Sequence, residues 1–242
     1  MYKRQVVEIA VDQVKKRIAV ITHVGSASTA DAVELAKHSE GLGVDAVAAV
    51  PPYYYRHDER SVLEYFRELI GAVNIPVYAY NNPKTSGFTI TSSTLAKLVD
   101  MGLKGLKDSG FNLVEFTHFI IKLRDHKDFN FIIGTEALFL PAMMFGANGC
   151  VSGLANAFPE LVVELYDTIL KKDYEKAAEL QLKVNKARML LHIAKSTNAA
   201  CYAMLKERGI DVGVPKHPVL PVTDEELRQM KKAFAEMGLL KA

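Results

Sequence analysis

Short, nearly continuous apolar runs alternate along this chain with longer stretches in which apolar residues recur at helical spacing. That alternation restricts the possible fold more than any other feature. The runs cover residues 17–23, 46–50, 77–80, 103–107, 129–134 and 149–153. Runs this short and this apolar are what a strand shows when both of its faces are covered. Between them, residues 29–41, 59–73, 92–100, 113–123 and 136–145 carry the helical pattern, with Thr29 and Ser92 standing where N-caps belong. Strand and helix in strict alternation point to βαβ units and a parallel sheet. Segments 41–50, 101–109 and 145–153 repeat one corner, a glycine that closes a helix followed by a turn into a strand. After Gly153 the alternation stops, and residues 161–171, 174–193, 199–208 and 224–237 all read as helices.

The expected fold class is α/β, a (β/α)8 barrel with extra C-terminal helices. The 242 residues are close to the roughly 250 of one such barrel. Residues 1–157 are expected to form a partial barrel, and 158–242 the last barrel helix and a helical cap of the same domain. Only six strands are counted where a closed barrel has eight, and the chain opens on a helical stretch, 6–16, that no strand precedes. The expectation is therefore a barrel lacking its first two strands, with a complete six-strand open sheet as the alternative. The isolated piece is then expected to lack part of its pocket, and open sheet edges favour aggregation or swapping.

A formal charge of +2 with scattered basic residues suggests neither nucleic acid nor an anionic membrane as partner. The longest apolar stretches fall far short of the roughly 20 residues that span a bilayer. Cys150 and Cys201 provide no disulfide framework, which fits a reducing cytoplasm, the expected location.

The run ending at Lys107 carries the first chemical signal. Side chains alternate across a strand, so Gly105 and Lys107 share one face and Leu106 takes the other. With Leu106 packed on the outer helices, Lys107 points inward at the C-terminal end of its strand, where barrel active sites lie. Apolar surroundings disfavour an ammonium, and a neutral amine can attack a carbonyl. Taken singly, such a lysine is equally well a solvated strand-end charge. Tyr80 ends the preceding run, just before Asn81, Asn82 and Pro83. Neighbouring strands lie about 4.8 Å apart, so its phenol and the Lys107 amine can converge, and a phenol can relay protons. A core tyrosine with a backbone partner is the plainer interpretation. The PPYYY loop, 51–55, follows the second run and suits a pocket wall or a subunit interface.

Four stretches in order, HVGSASTADAVELAKHSEGLGVDAVAAVPPYYY (23–55), YNNPKTSG (80–87), GLKDSG (105–110) and GTEALFLPAMMFGANGCVSGLAN (134–156), resemble the N-acetylneuraminate lyase and dihydrodipicolinate synthase family of class I pyruvate-dependent aldolases. The resemblance runs from about Val6 to the C-terminus. It implies Lys107 as the Schiff-base lysine, Tyr80 as the proton-relay phenol and Tyr54 as a tyrosine reaching a neighbouring subunit's site. Val151 corresponds to a residue whose backbone lies beside bound pyruvate, and Gly134, Glu136, Ser152 and Thr85 join it as substrate-binding candidates. The resemblance further implies a homotetramer, pyruvate and an aldehyde as partners, and no cofactor. Family members begin with a strand, a helix and a second strand ending in a carboxylate-binding turn, and no such turn precedes Val6.

Two departures bear on the substrate. Dihydrodipicolinate synthases usually carry an arginine where this chain has Thr85, and Lys84 beside it does not reproduce a planar bidentate fork. The sialic acid lyases carry an Asp-Glu pair where this chain has Glu136 and Ala137. The expected activity is cleavage or formation of a C–C bond between pyruvate and an aldehyde, on a 2-keto-3-deoxy sugar acid or an N-acetylneuraminate-like substrate. The alternatives are 4-hydroxy-tetrahydrodipicolinate synthesis and a catalytically silent acid-binding or assembly subunit. The seven histidines show no HxH or HExxH spacing, so no metal site is expected. Nor is there a glycine-rich nucleotide turn, VGSAS at 24–28 having one glycine.

Overall fold

A computed structural model describes residues 2–241. The chain divides into two compact units, one running to Gly134 and including Phe145–Asn148, the other comprising Thr135–Met144 and the chain from Gly149 onward.

The first unit opens with helix α1, Tyr2–Val14, and strand β1, Ile21–His23. It continues through α2 (Thr29–Gly41), β2 (Ala46–Ala49), α3 (Glu59–Gly71), β3 (Val77–Asn81), the short α4 (Pro83–Ser86), α5 (Ser92–Asp100), β4 (Gly105–Asp108), α6 (Leu113–Lys122) and β5 (Asn130–Ile133). The five strands pair in chain order, every pair parallel. The register sets Tyr78 beside Gly105 and Tyr80 beside Lys107, and Lys107 beside Ile132. Because side chains alternate, this register sorts the residues into two faces. Thr22, Val47, Ala49, Val77, Ala79, Asn81, Leu106, Asp108, Phe131 and Ile133 fall on one, and all are buried. The helices bring their own apolar stripes to the core: Val62, Tyr65, Phe66 and Leu69 on α3, Leu95 and Leu98 on α5, and Phe116 and Phe119 on α6. Each such large side chain contributes roughly 1.5–3 kcal/mol on burial.

The alternation of strand and helix is as the sequence predicts, but local bounds differ. The caps sit one residue earlier than expected: Ser28 accepts from the Asp31 N–H and Thr91 from the Thr94 N–H. An N-cap residue has extended backbone, and both do, whereas Thr29 and Ser92 are already helical. Strand β1 starts at Ile21 rather than residue 17, and the turn after Tyr80 contains the single helical turn α4, which Gly87 closes at φ +73°.

The second unit holds α7 (Phe139–Phe145, whose last residue belongs to the first unit), the two-residue strand β6 (Gly149–Cys150) and four helices, α8 (Pro159–Leu170), α9 (Tyr174–Leu191), α10 (Thr197–Glu207) and α11 (Asp224–Glu236). Its core includes Phe158 stacked on Phe234 at 4.6 Å between ring centroids. Arg208 caps the Ala157 carbonyl and pairs with Glu160. Thr223 and Glu226 form a capping box that starts α11, which stabilises a helix start by about 1 kcal/mol. Among the described residues, no helix is long and apolar enough to cross a membrane.

Candidate active site

The sheet face opposite the buried one carries the candidate residues Tyr80 and Lys107. His23, Ala48, Tyr78, Tyr80, Lys107, Asn130 and Ile132 lie on it, and all keep some access to solvent. Lys107 therefore points away from the core side occupied by Leu106, as expected from the strand alternation. Its Nζ sits 3.7 Å from the centroid of the Tyr80 ring, a cation–π approach between side chains of adjacent strands. The space that Gly105 leaves beneath the lysine is filled by Tyr78, because a Cβ at Gly105 would lie 2.1 Å from that ring.

The Tyr80 hydroxyl has further neighbours. Asn82 Nδ2 donates to it at 3.3 Å, and Ser109 Oγ lies 3.4 Å away. Ser109 Oγ is also 3.3 Å from the Gly134 carbonyl, so its single proton can go to either oxygen. Burial raises the Tyr80 pKa, but Ser109, the Lys107 charge and Asn82 outweigh it and hold the phenol below the usual tyrosine range. Gly134 makes the arrangement possible. A Cβ there would fall 1.9 Å from Ser109 Oγ and 2.7 Å from the Asp108 carbonyl. Ser109 and Asn82 were not singled out from the sequence, yet each stands two residues after an inward side chain, Lys107 or Tyr80. The same period-two rule that placed the lysine finds them.

Behind this pair, on the buried face, Asn81 Nδ2 donates to Asp108 Oδ1 at 2.6 Å, and Asn81 Oδ1 accepts from the Ile90 N–H at 3.0 Å. Burial raises the Asp108 pKa, against the hydrogen bonds from Asn81 and Gly110. The two residues brace the strand ends that present Tyr80 and Lys107.

His23, at the end of β1, meets the same phenol edge-on, with centroids 6.1 Å apart and planes at 87°. Its Nε2 accepts from the Val50 N–H at 3.3 Å. Although one side of the ring is exposed, desolvation by the atoms packed around it, followed by the charges of Lys3 and Lys107, lowers its pKa to about 4.

The other predicted site residues have distinct surroundings. Tyr54 is 87% exposed, packs edge-on against Tyr55, and takes φ +85°, a conformation costing on the order of 1–3 kcal/mol outside glycine. Thr85 is exposed and its hydroxyl donates to the Asn82 carbonyl at 3.2 Å. In the second unit, Val151 is exposed and Ser152 Oγ accepts from the Ala155 N–H. Glu136 is buried, accepts from the Gly153 N–H at 3.1 Å and faces Arg188 at 3.5 Å. Among the described residues, no group of three or more His, Cys, Asp or Glu side chains is arranged to hold a metal ion.

Comparison with known proteins places this geometry in context. The family model described as the dihydrodipicolinate synthetase family matches residues 2–237. An uncharacterized DapA-like lyase of Halobacterium salinarum is 33% identical, covering 98% of this chain and 77% of that protein. A 4-hydroxy-tetrahydrodipicolinate synthase of Methanopyrus kandleri is 31% identical over 98% of this chain and 79% of its own. Among solved structures, KD(P)GA from T. tenax superposes with a TM-score of 0.87 at 30% identity, covering 98% of this chain and 81% of that one.

Proposed function

Because the chain belongs to the dihydrodipicolinate synthetase family, we propose that it is a class I lyase in which Lys107 forms an imine with a 2-oxo acid. The observation that carries this reading is the Lys107 amine held 3.7 Å over the Tyr80 ring on the solvent-accessible sheet face. In the cleavage direction, the amine adds to the C2 carbonyl of a 4-hydroxy-2-oxo acid and the carbinolamine loses water. Tyr80, as phenolate, takes the proton of the C4 hydroxyl. The C3–C4 bond breaks, an aldehyde leaves, and its electron pair enters the imine to give an enamine. Protonation at C3 and hydrolysis then release pyruvate and the free amine. Aldol addition is the reverse.

Within this reading, Asn82 and Ser109 set the basicity of Tyr80 through their contacts with its hydroxyl. Tyr54 serves a neighbouring copy's site in a homotetramer, which its 87% exposed ring favours. Val151 and Ser152 are assigned to pyruvate binding and Glu136 to the polar part of the substrate, on resemblance in sequence. The preferred substrate is a 2-keto-3-deoxy sugar acid or an N-acetylneuraminate-like acid, supported by the likeness to KD(P)GA and by Thr85 in place of the arginine. A second reading, 4-hydroxy-tetrahydrodipicolinate synthesis, is favoured by the relatives that bear that name.

Reduction with borohydride in the presence of pyruvate tests the chemistry. The expected result is a mass increase on the peptide holding Lys107, absent from Lys107→Ala. A protein that binds pyruvate without this adduct is a silent binding subunit. Assaying cleavage of sugar-acid substrates against condensation of pyruvate with aspartate semialdehyde separates the two substrate readings.

A further inference from the structure

His23 stands outside the imine chemistry, yet the fold gives it a defined seat. Its Nε2 accepts the Val50 N–H, which leaves Nδ1 as the protonated nitrogen of a neutral ring. The ring is exposed on the accessible sheet face, at the C-terminal end of β1. It packs T-shaped against the phenol ring that the Lys107 amine also approaches, and it is near enough for the Lys107 charge to act on it. Gly25 keeps the seat open. A Cβ at that position would lie 2.8 Å from His23 Cε1 and 3.1 Å from the Val50 nitrogen.

A ring fixed in this way donates one hydrogen bond and carries no charge. Its chain neighbour for that proton is its own main-chain carbonyl, which a single residue reaches only with a bent bond. Lys3, the other cation close by, already donates to the Gly25 carbonyl at 2.8 Å. The group that meets the imidazole is also constrained by position. In the imine, the carboxylate carbon is bonded directly to the carbon attached to Nζ, so the carboxylate stays close to Lys107. The imidazole packs on the same Tyr80 ring that this nitrogen approaches, and we set it against the aldehyde half, which continues beyond the imine carbon on the side away from the carboxylate.

We propose that His23, through Nδ1–H, hydrogen-bonds a hydroxyl of the aldehyde half of the substrate and so determines preference for hydroxylated aldehydes. This rests on the lyase reading above and adds a specificity residue to it. A site that donates to a substrate hydroxyl discriminates against the analogue lacking it. One neutral hydrogen bond at an accessible position corresponds to a discrimination of about fivefold to tenfold.

The test uses aldol addition of pyruvate to glyceraldehyde and to propionaldehyde, its counterpart without hydroxyls, together with borohydride trapping of pyruvate. His23→Leu removes the donor. Its KM for glyceraldehyde should rise about tenfold, with KM for propionaldehyde and the half-saturating pyruvate concentration for trapping unchanged. His23→Asn retains a donor near the Nδ1 position and should restore the glyceraldehyde KM. Gly25→Ala displaces the ring without changing it and should reproduce the His23→Leu pattern. Equal KM changes for both aldehydes, or none for either, overturn the assignment. A rise in half-saturating pyruvate in its place moves the imidazole to the carboxylate and also overturns it. If the unmodified protein traps no pyruvate, the lyase reading itself fails. If it traps pyruvate and His23→Leu shows no selectivity, only the role of His23 fails.

Discussion

The two faces of the β1–β5 sheet are made from alternate residues of the same strands, yet they share little else. On one, Val47, Ala79, Leu106, Phe131 and Ile133 are buried; of its polar residues Asn81 donates to Asp108, while Thr22 Oγ1 is buried without a hydrogen-bond partner. On the other, His23, Tyr80 and Lys107 stay accessible and interact through one phenol ring. The difference teaches that a core residue and a candidate catalytic residue are separated by a single step along the chain. Leu106 and Lys107 are neighbours in sequence, and exchanging their faces would require only a one-residue slip in register. Substitutions on the two faces should therefore have separable consequences.

The largest expected effect is on the accessible face. Lys107→Ala should eliminate pyruvate trapping and turnover while changing stability by no more than about 1 kcal/mol, the scale of a cation–π contact at an accessible site. A large loss in chemical denaturation would break the separation of the faces. Tyr80→Phe should lower turnover by about 10²–10⁴-fold, the range attributed to a positioned acid–base group, with trapping retained. Unchanged turnover would remove the phenol from the mechanism. Leu106→Ala should do the opposite. A fully buried leucine truncated to alanine costs about 2–5 kcal/mol, read as a lower denaturation midpoint, while the folded protein still forms the imine.

Smaller effects sharpen the comparison through pH. Ser109→Ala removes a hydrogen bond that lowers the Tyr80 pKa. The phenolate then forms at higher pH, so the rising limb of the turnover profile should move upward. A limb that stays in place would show that Ser109 does not tune the phenol. His23 gives the smallest effect. Its pKa is about 4 in the folded protein, against 6.5 for the free side chain. Between these values the unfolded chain binds more protons than the folded one. Its stabilising contribution is thus present above about pH 6.5 and is lost as pH falls toward about 4. Because one side of the ring is exposed, solvent screens part of this. The protein should lose more stability across that window than His23→Asn does. Equal losses would mean that the imidazole titrates normally.

Much of this division was legible in advance. The apolar runs located β2, β3 and β4 within a residue or two, and alternation assigned Leu106 and Lys107 to opposite faces. The expected strands at 17–23 and 149–153 shortened to Ile21–His23 and Gly149–Cys150, and Ile18 and Val151, apolar residues of those runs, are exposed outside the ladder. Gly134, a substrate-binding candidate from the sequence, is also where the absence of a side chain admits Ser109. Glu136 was selected for its place in a motif, and its carboxylate meets the Gly153 N–H and Arg188.

The sequence by itself determined the order of strands and helices and the opposite sides of the sheet taken by Leu106 and Lys107. These follow from periodicity, which depends only on neighbours along the chain. Tertiary structure decided that the amine lies over the phenol ring, that Ser109 touches its hydroxyl, and that His23 is held neutral beside it. Those are relations between strands, set by packing and register, and local spacing contains no measure of the distance across a sheet.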